Sequence, residues 1–335
     1  MTSAVYSPTG VRAVRRWISP AVAAVTLAVL VWRLGTGPFL DGLRAVDAGA
    51  LAAASGLAVL TTVCCAWRWR TVARGLGLDL PLGTAVAAYY RSLFLNLTLP
   101  GGVVGDVHRG ISHGRDTRDV ARGLRAVVWE RSAGQVVQLV LTVAVLLVLP
   151  SPVRAWVPFA AFALIGAVAC AALAARMRPG GGRSRWARLR SAGARDVREG
   201  LLARRAWPVV ALASALIVAG HALTLLIAAR TAGVSAPPSR MLPLALLVLL
   251  AAALPNVAGW GPREGVAAWA FAAAGLGASR GAATAVVYGA MVLVASLPGA
   301  AVLIGAWLRR SRPWRQRTVQ AGLRPVASTE GAPDA

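Results

Sequence analysis

The chain has 335 residues, of which 57% are hydrophobic and only 14% charged, with a mean hydropathy of +0.63. Soluble domains carry about 25% charged residues, so a soluble globule is excluded, and so is a disordered chain. The net charge of +24 comes from 36 Arg, without a single Lys, set against 12 acidic residues.

Residues 1–16 read as a short polar arm carrying Arg12, Arg15 and Arg16. Apolar runs near the length of about 20 residues needed to cross a bilayer then recur along the chain. Ile18–Trp32 is predicted as the first span, uncleaved, because no small-residue cleavage site follows it. Residues 48–67 form the second, and Arg68, Arg70 and Arg74 mark its return to the cytoplasmic side. Residues 82–99 are apolar but hold Tyr89, Tyr90, Arg91 and Asn96, with arginine on both flanks, which predicts a segment that enters and returns without crossing. Spans follow at 126–149 and 156–175, joined by a turn with Pro150 and Pro152. An arginine-rich cytoplasmic loop covers 176–206, read as an amphipathic stretch on anionic headgroups. Residues 207–229 cross again, 242–277 form a second interrupted segment, and 283–308 form the last span. The tail, 311–335, is expected to be disordered.

On this topology 27 Arg lie in cytoplasmic segments and six in outer loops. The charge is therefore read as topogenic, by the positive-inside rule, and not as a nucleic-acid footprint. The fold class is all-α: a polytopic membrane helix bundle of about seven or eight transmembrane helices spanning 17–310, in the cell inner membrane, with both termini cytoplasmic. Cys64, Cys65 and Cys170, and His108, His113 and His221, show no metal-ligand spacing, and no phosphate loop or nucleophile–base pair occurs. No metal and no cofactor is expected. The sequence offers no reaction, so a non-enzyme is the expectation.

Two segments stand out. Leu99-Pro100-Gly101-Gly102-Val103-Val104-Gly105-Asp106 and Leu254-Pro255-Asn256-Val257-Ala258-Gly259-Trp260-Gly261-Pro262 each join proline to clustered glycine, once per half. Proline removes a backbone donor and glycine opens conformations closed to other residues, so Pro100, Gly101, Gly102, Gly105, Pro255, Gly259, Gly261 and Pro262 predict broken or re-entrant helices. Unwound backbone at membrane depth needs protein or a wet cavity over it. Paired breaks in corresponding halves are the usual pointer to a transporter site and allow an inverted repeat, although the internal match is weak. Ordinary interfacial Pro/Gly loops are the alternative. Charges accompany both breaks: Asp106 and Arg109 after the first, Arg263 and Glu264 after the second, and Glu130-Arg131 on the next span. Arginine has a planar fork suited to phosphate oxygens, so Arg109 and Arg263, with Arg131 beside them, are candidate phosphate contacts. Asp106, Glu130 and Glu264 would orient these guanidiniums or carry protons; structural pairing at helix ends is the plainer alternative. Asn96 is read as capping freed backbone groups, His221 as a packed polar residue with an interhelical hydrogen bond, and Trp260 as an interface anchor.

The run Arg91 to Asp106, the Glu130-Arg131 pair with Gly134, and Ala258-Gly259-Trp260-Gly261-Pro262-Arg263-Glu264-Gly265 resemble blocks of the lysylphosphatidylglycerol synthase transmembrane-region family, also called flippase-like domain proteins. The resemblance covers roughly residues 15–310. It implies a domain that moves an anionic or aminoacylated phospholipid, or a related phosphate-bearing lipid, between leaflets. The bifunctional synthases add a large aminoacyl-transferase domain, whereas about 27 residues follow position 308 here, so synthase activity is not expected. The rival expectation is an accessory membrane protein or enzyme of polyprenyl-phosphate-linked glycan assembly. A scaffold holding a cytoplasmic partner at the 176–206 loop is a third.

Overall fold

The computed structural model describes residues 46–99, 101–159, 161–163, 165–166, 185–254 and 260–308, together with Trp32, Leu40 and Arg44. Among these residues the structure is all-helical. The predicted span Ile18–Trp32, apart from Trp32, lies outside the described residues. So do the arm 1–16, most of 160–184, Cys170, Pro100, Pro255, Gly259 and the tail after 308.

Helix α1 (Ala48–Gly75) starts where Asp47 Oδ1 accepts from the Ala50 amide at 2.7 Å, satisfying one of the first-turn donors that a helix leaves open. Helix α2 (Leu82–Thr98) follows Pro81 and stops at Leu99, ahead of a proline. Helix α3 (Val104–Asp116) is short and polar. Helix α4 (Val120–Val148) begins six residues before the expected 126, because the Asp119 carboxylate accepts from the Arg122 amide at 2.9 Å and nucleates the helix there. A 3-10 turn at Arg154–Trp156 follows, with helical residues at 157–159, 161–163 and 165–166. The arginine-rich loop holds helix α5 (Arg185–Asp196) and a π turn at Val197–Leu201. Helices α6 (Trp207–Thr231), α7 (Pro238–Ala251), α8 (Pro262–Ala273) and α9 (Ala278–Ala295) complete the order, α6 to α8 each carrying proline in the first turn.

Among the described residues, four helices are long and apolar enough to cross a membrane: Ala48–Gly75, Val120–Val148, Trp207–Thr231, and α9 with its continuation to Leu308. At 1.5 Å per residue the shortest of them, at 25 residues, is about 37 Å long, against a hydrocarbon core of about 30 Å. Their outer faces expose Val59, Leu60, Val136, Val140, Leu212 and Leu223. A belt of exposed aliphatic side chains on helices that also bury apolar surface is what a lipid solvent requires. Inside, α1 packs most extensively on α6, and α9 leans on both. The largest core gathers Leu225, Ala245, Val248, Ala285, Val287 and Met291. A second, around Trp69, Leu80, Ala85 and Ala126, sits under the arginine-rich ends of α1 and α4.

Candidate functional site

The first break is built from its own residues. Helix α2 ends at Leu99, and Gly101 and Gly102 take φ of +101° and +65°, the left-handed region that glycine enters without strain. Helix α3 then turns back against α2 so closely that a Cβ on Gly105 would stand 2.1 Å from the Ser92 carbonyl oxygen. Asn96 clips the two halves together. Its Oδ1 accepts the Gly105 amide at 2.7 Å, and its Nδ2 donates to Asp106 Oδ2 at 3.0 Å. The expected capping role of Asn96 thus has a visible partner, an otherwise unsatisfied first-turn N–H. Ser92 Oγ donates to Asp106 Oδ1 at 3.2 Å, and the carboxylate sits in the first turn of α3, where the helix dipole favours it.

From Asp106 an ion network runs inward. Arg109 Nε donates to Asp106 Oδ1 at 2.9 Å and its Nη2 to Glu130 Oε2 at 2.7 Å. Glu130 Oε1 accepts from Arg68 Nε at 2.9 Å, Arg68 Nη2 at 2.5 Å and the Tyr89 hydroxyl at 3.1 Å. Arg68 Nη1 reaches Ser214 Oγ on α6 at 2.9 Å, and Arg131 pairs with Asp106 Oδ2. Four helices are joined through two carboxylates. Arg109 lies between the faces of Trp69 and Tyr89, 4.7 and 4.3 Å from their centroids, and is 1% exposed. Both rings and both carboxylates therefore enclose it, and it lines neither of the two cavities described below. Arg131, with its side chain 44% exposed, lines both. Arg68 corrects the reading of it as a cytoplasmic flank: it is 6% exposed and about 10 Å inside the end of α1 by helix rise.

The second break has a similar logic with different parts. Gly261 takes φ +119° ahead of Pro262 at the start of α8. Glu264 Oε2 accepts the Gly261 amide at 2.7 Å, the returning half of a capping box. Its other oxygen accepts from Arg263 Nε at 2.9 Å and from Arg263 Nη2. The Arg263 guanidinium stands 5.2 Å from the Tyr288 centroid and 5.7 Å from that of Trp260. The expected interhelical bond of His221 is made by Nδ1 to the Tyr288 hydroxyl at 3.0 Å.

Between the breaks lies a cavity of about 260 Å³, lined by Arg68, Arg131 and Arg263, by Gln135, Gln138, Ser214 and His221, and by Tyr89, Asn96 and Tyr288. Two of its guanidiniums rest on glycine: a Cβ on Gly134 would meet Arg68 Nη1 at 2.5 Å, and one on Gly289 would meet Arg263 Nη2 at 2.5 Å. A second space of about 730 Å³ adjoins it, sharing Gly102, Arg131, Gln135, Ala252 and Ala253, and also touches Gly101, Asp106 and Leu254. The site thus unites Asn96, Gly101, Gly102, Asp106, Arg131 and Arg263 on its walls, and holds Gly105, Arg109, Glu130 and Glu264 behind them. Ser214 and the two glutamines were not singled out from the sequence, and Arg68 and Tyr89 were noted there only as a flank and as a polar interruption of 82–99; the signal for all of them is polar character inside apolar runs. Among the described residues, no group of three His, Cys, Asp or Glu comes together to hold a metal.

The family model for the lysylphosphatidylglycerol synthase TM region matches residues 16–299, which takes in every element of this site. No curated protein matches the chain.

Proposed function

The chain belongs to the family of lysylphosphatidylglycerol synthase transmembrane regions and is a membrane protein of the kind associated with lipid modification or flipping; from that premise we propose that it is a lipid translocase and not an enzyme. The observation that carries this reading is the polar, arginine-lined cavity that reaches from the α2–α3 corner to Arg263 at the start of α8. At about 260 Å³ it lies just below the roughly 300–1,000 Å³ of sites that swallow a drug-sized molecule. A headgroup fits and acyl chains stay in lipid. The adjoining space bounded by Gly101, Gly102 and Ala252–Leu254 serves as the entry. Arg131 and Arg263 take the phosphate oxygens, with Arg68 behind them, since a guanidinium fork matches two such oxygens. Asp106, Glu130 and Glu264 hold the guanidiniums in place, and Arg109 fixes the frame.

In this reading the four long helices and the expected spans Ile18–Trp32 and 156–175 cross the plasma membrane, and the broken segments enter it and return on the same side. The arginine-rich ends of α1, α4 and α6 face the cytoplasm, and so do both termini. The test is reconstitution into liposomes and measurement of transbilayer movement of labelled phosphatidylglycerol. Movement should depend on wild-type protein and fall at least tenfold in an Arg131→Gln/Arg263→Gln variant. Unchanged movement in that variant, shown to be folded, would overturn the site assignment. No protein-dependent movement of phosphatidylglycerol, its aminoacyl esters or polyprenyl-phosphate sugars would overturn translocation itself.

A further inference from the structure

Among the described residues, three carboxylates, Asp106, Glu130 and Glu264, hold cavity-lining arginines; the other described acidic residues, Asp47, Asp79, Asp116, Asp119, Asp196 and Glu199, lie at helix ends or in turns. All six of their oxygens are engaged. Glu130 Oε1 serves Arg68 and Tyr89, and its Oε2 serves Arg109. Asp106 Oδ1 serves Ser92 and Arg109, and its Oδ2 serves Asn96 and Arg131. Glu264 serves the Gly261 amide and Arg263. In the first cluster three guanidiniums face two carboxylates, an excess of one positive charge, while Arg263 and Glu264 balance. Trp69 and Tyr89 already carry Arg109 on one face, and Trp260 and Tyr288 carry Arg263, so positive charge already stands against these rings.

We infer that the cavity selects headgroups of net negative charge, the phosphodiester of an unmodified anionic phospholipid, and rejects the lysyl ester of that lipid. The inference rests on the translocase reading and narrows its substrate. A single phosphodiester neutralises the one surplus charge. A lysyl ester adds two ammonium groups, gives a net cationic headgroup, and, among the described residues at the cavity, meets carboxylates already bonded to arginine. Like charge at close range in a poorly solvated site is an effective device for excluding the wrong partner.

The test uses two readouts on the full chain. The first is thermal stabilisation of the purified protein in mixed micelles containing either phosphatidylglycerol or lysylphosphatidylglycerol. The second is transbilayer movement of the same two lipids in liposomes. The unmodified lipid should bind at least tenfold more tightly and move correspondingly faster. Gln135→Glu, which adds a carboxylate one turn from Arg131 on the wall shared by both cavities, should shift the preference at least tenfold towards the lysyl ester. Equal or better binding of the lysyl ester by wild type overturns the inference and leaves translocation standing. Selective binding without movement sustains the inference and overturns translocation. Binding of neither lipid overturns this inference whatever the transport result.

Discussion

Glu130 is fully buried and supplies the shared counter-charge of two arginines from two other helices. Glu130→Gln keeps its shape but removes the charge and replaces one acceptor oxygen with an amide donor. Arg68 then retains only the Ser214 hydroxyl and the remaining amide oxygen, and Arg109 retains only Asp106. Breaking a buried ion pair by neutralising one partner costs about 3–5 kcal/mol, because the other charge stays behind uncompensated. At roughly 2–4 °C per kcal/mol for domains of 150–250 residues, the melting midpoint should fall on the order of 10 °C. The assay is intrinsic tryptophan fluorescence of detergent-purified protein, with Trp69 packed on the cluster as a local reporter. The internal control is Arg74→Gln. That change removes an ion pair to Asp79 at 3.5 Å whose side chains are 50% and 83% exposed, and an exposed pair is worth about 0–1 kcal/mol. A Glu130→Gln midpoint within about 2 °C of wild type would refute the claim that this network holds α1, α2, α3 and α4 together.

Gly105→Ala should abolish accumulation of folded protein, because its Cβ meets the Ser92 backbone and not a movable side-chain tip; overpacking of this kind costs about 1–3 kcal/mol or more, and size-exclusion chromatography after solubilisation reads it. Gly289→Ala meets the flexible end of Arg263, so its melting shift should be small while lipid movement falls about tenfold, the rate effect of about 1.4 kcal/mol. Gly56→Ala, with open space around the added Cβ, should be neutral to stabilising by about 0.5–1 kcal/mol and leave movement unchanged. His113 on α3 is buried at the edge of the Trp69 ring, and its Nε2 lacks a hydrogen-bond partner. Burial holds its imidazole below the usual range against the opposing pull of Asp116 and Asp79. The unfolded chain therefore takes up a proton that the folded chain resists. Stability should be full above the ordinary histidine pKa of about 6.5 and should fall as the pH drops below it. Melting curves from pH 7.5 to 5 check this, and His113→Phe should flatten that part of the profile.

The breaks were legible because proline and glycine act on their own backbone: Leu99 ends α2, and Gly101, Gly102 and Gly261 adopt the positive φ their residue type allows. The acidic candidates were legible because charge at membrane depth is scarce, and scarcity singles out Asp106, Glu130 and Glu264. The seat of Arg109 was not, because it is made by Trp69 of α1 and Tyr89 of α2, and no local pattern announces a contact between helices. Arg68 was misread for the same reason. Its spacing to Arg70 and Arg74 resembles a cytoplasmic flank, and only its partners Glu130 and Ser214, 62 and 146 residues away, reveal that it points inward. Charge distribution orients a helix; it does not report depth.

The Asn96 clip bears on how such a molecule can move. With the Gly105 amide and the Asp106 carboxylate both held by one side chain of α2, the first break is a preassembled corner and not a joint. Its bent backbone stores the shape of the cavity wall and transmits force instead of absorbing it. Any opening that widens the passage must displace this corner as a block, and the cheapest seam for doing so is the Arg131–Asp106 contact, the one ion pair of the cluster with a substantially exposed partner. On the translocase proposal, a phosphate arriving at Arg131 would compete for that seam, and the cargo itself would act as the wedge that unlocks its path.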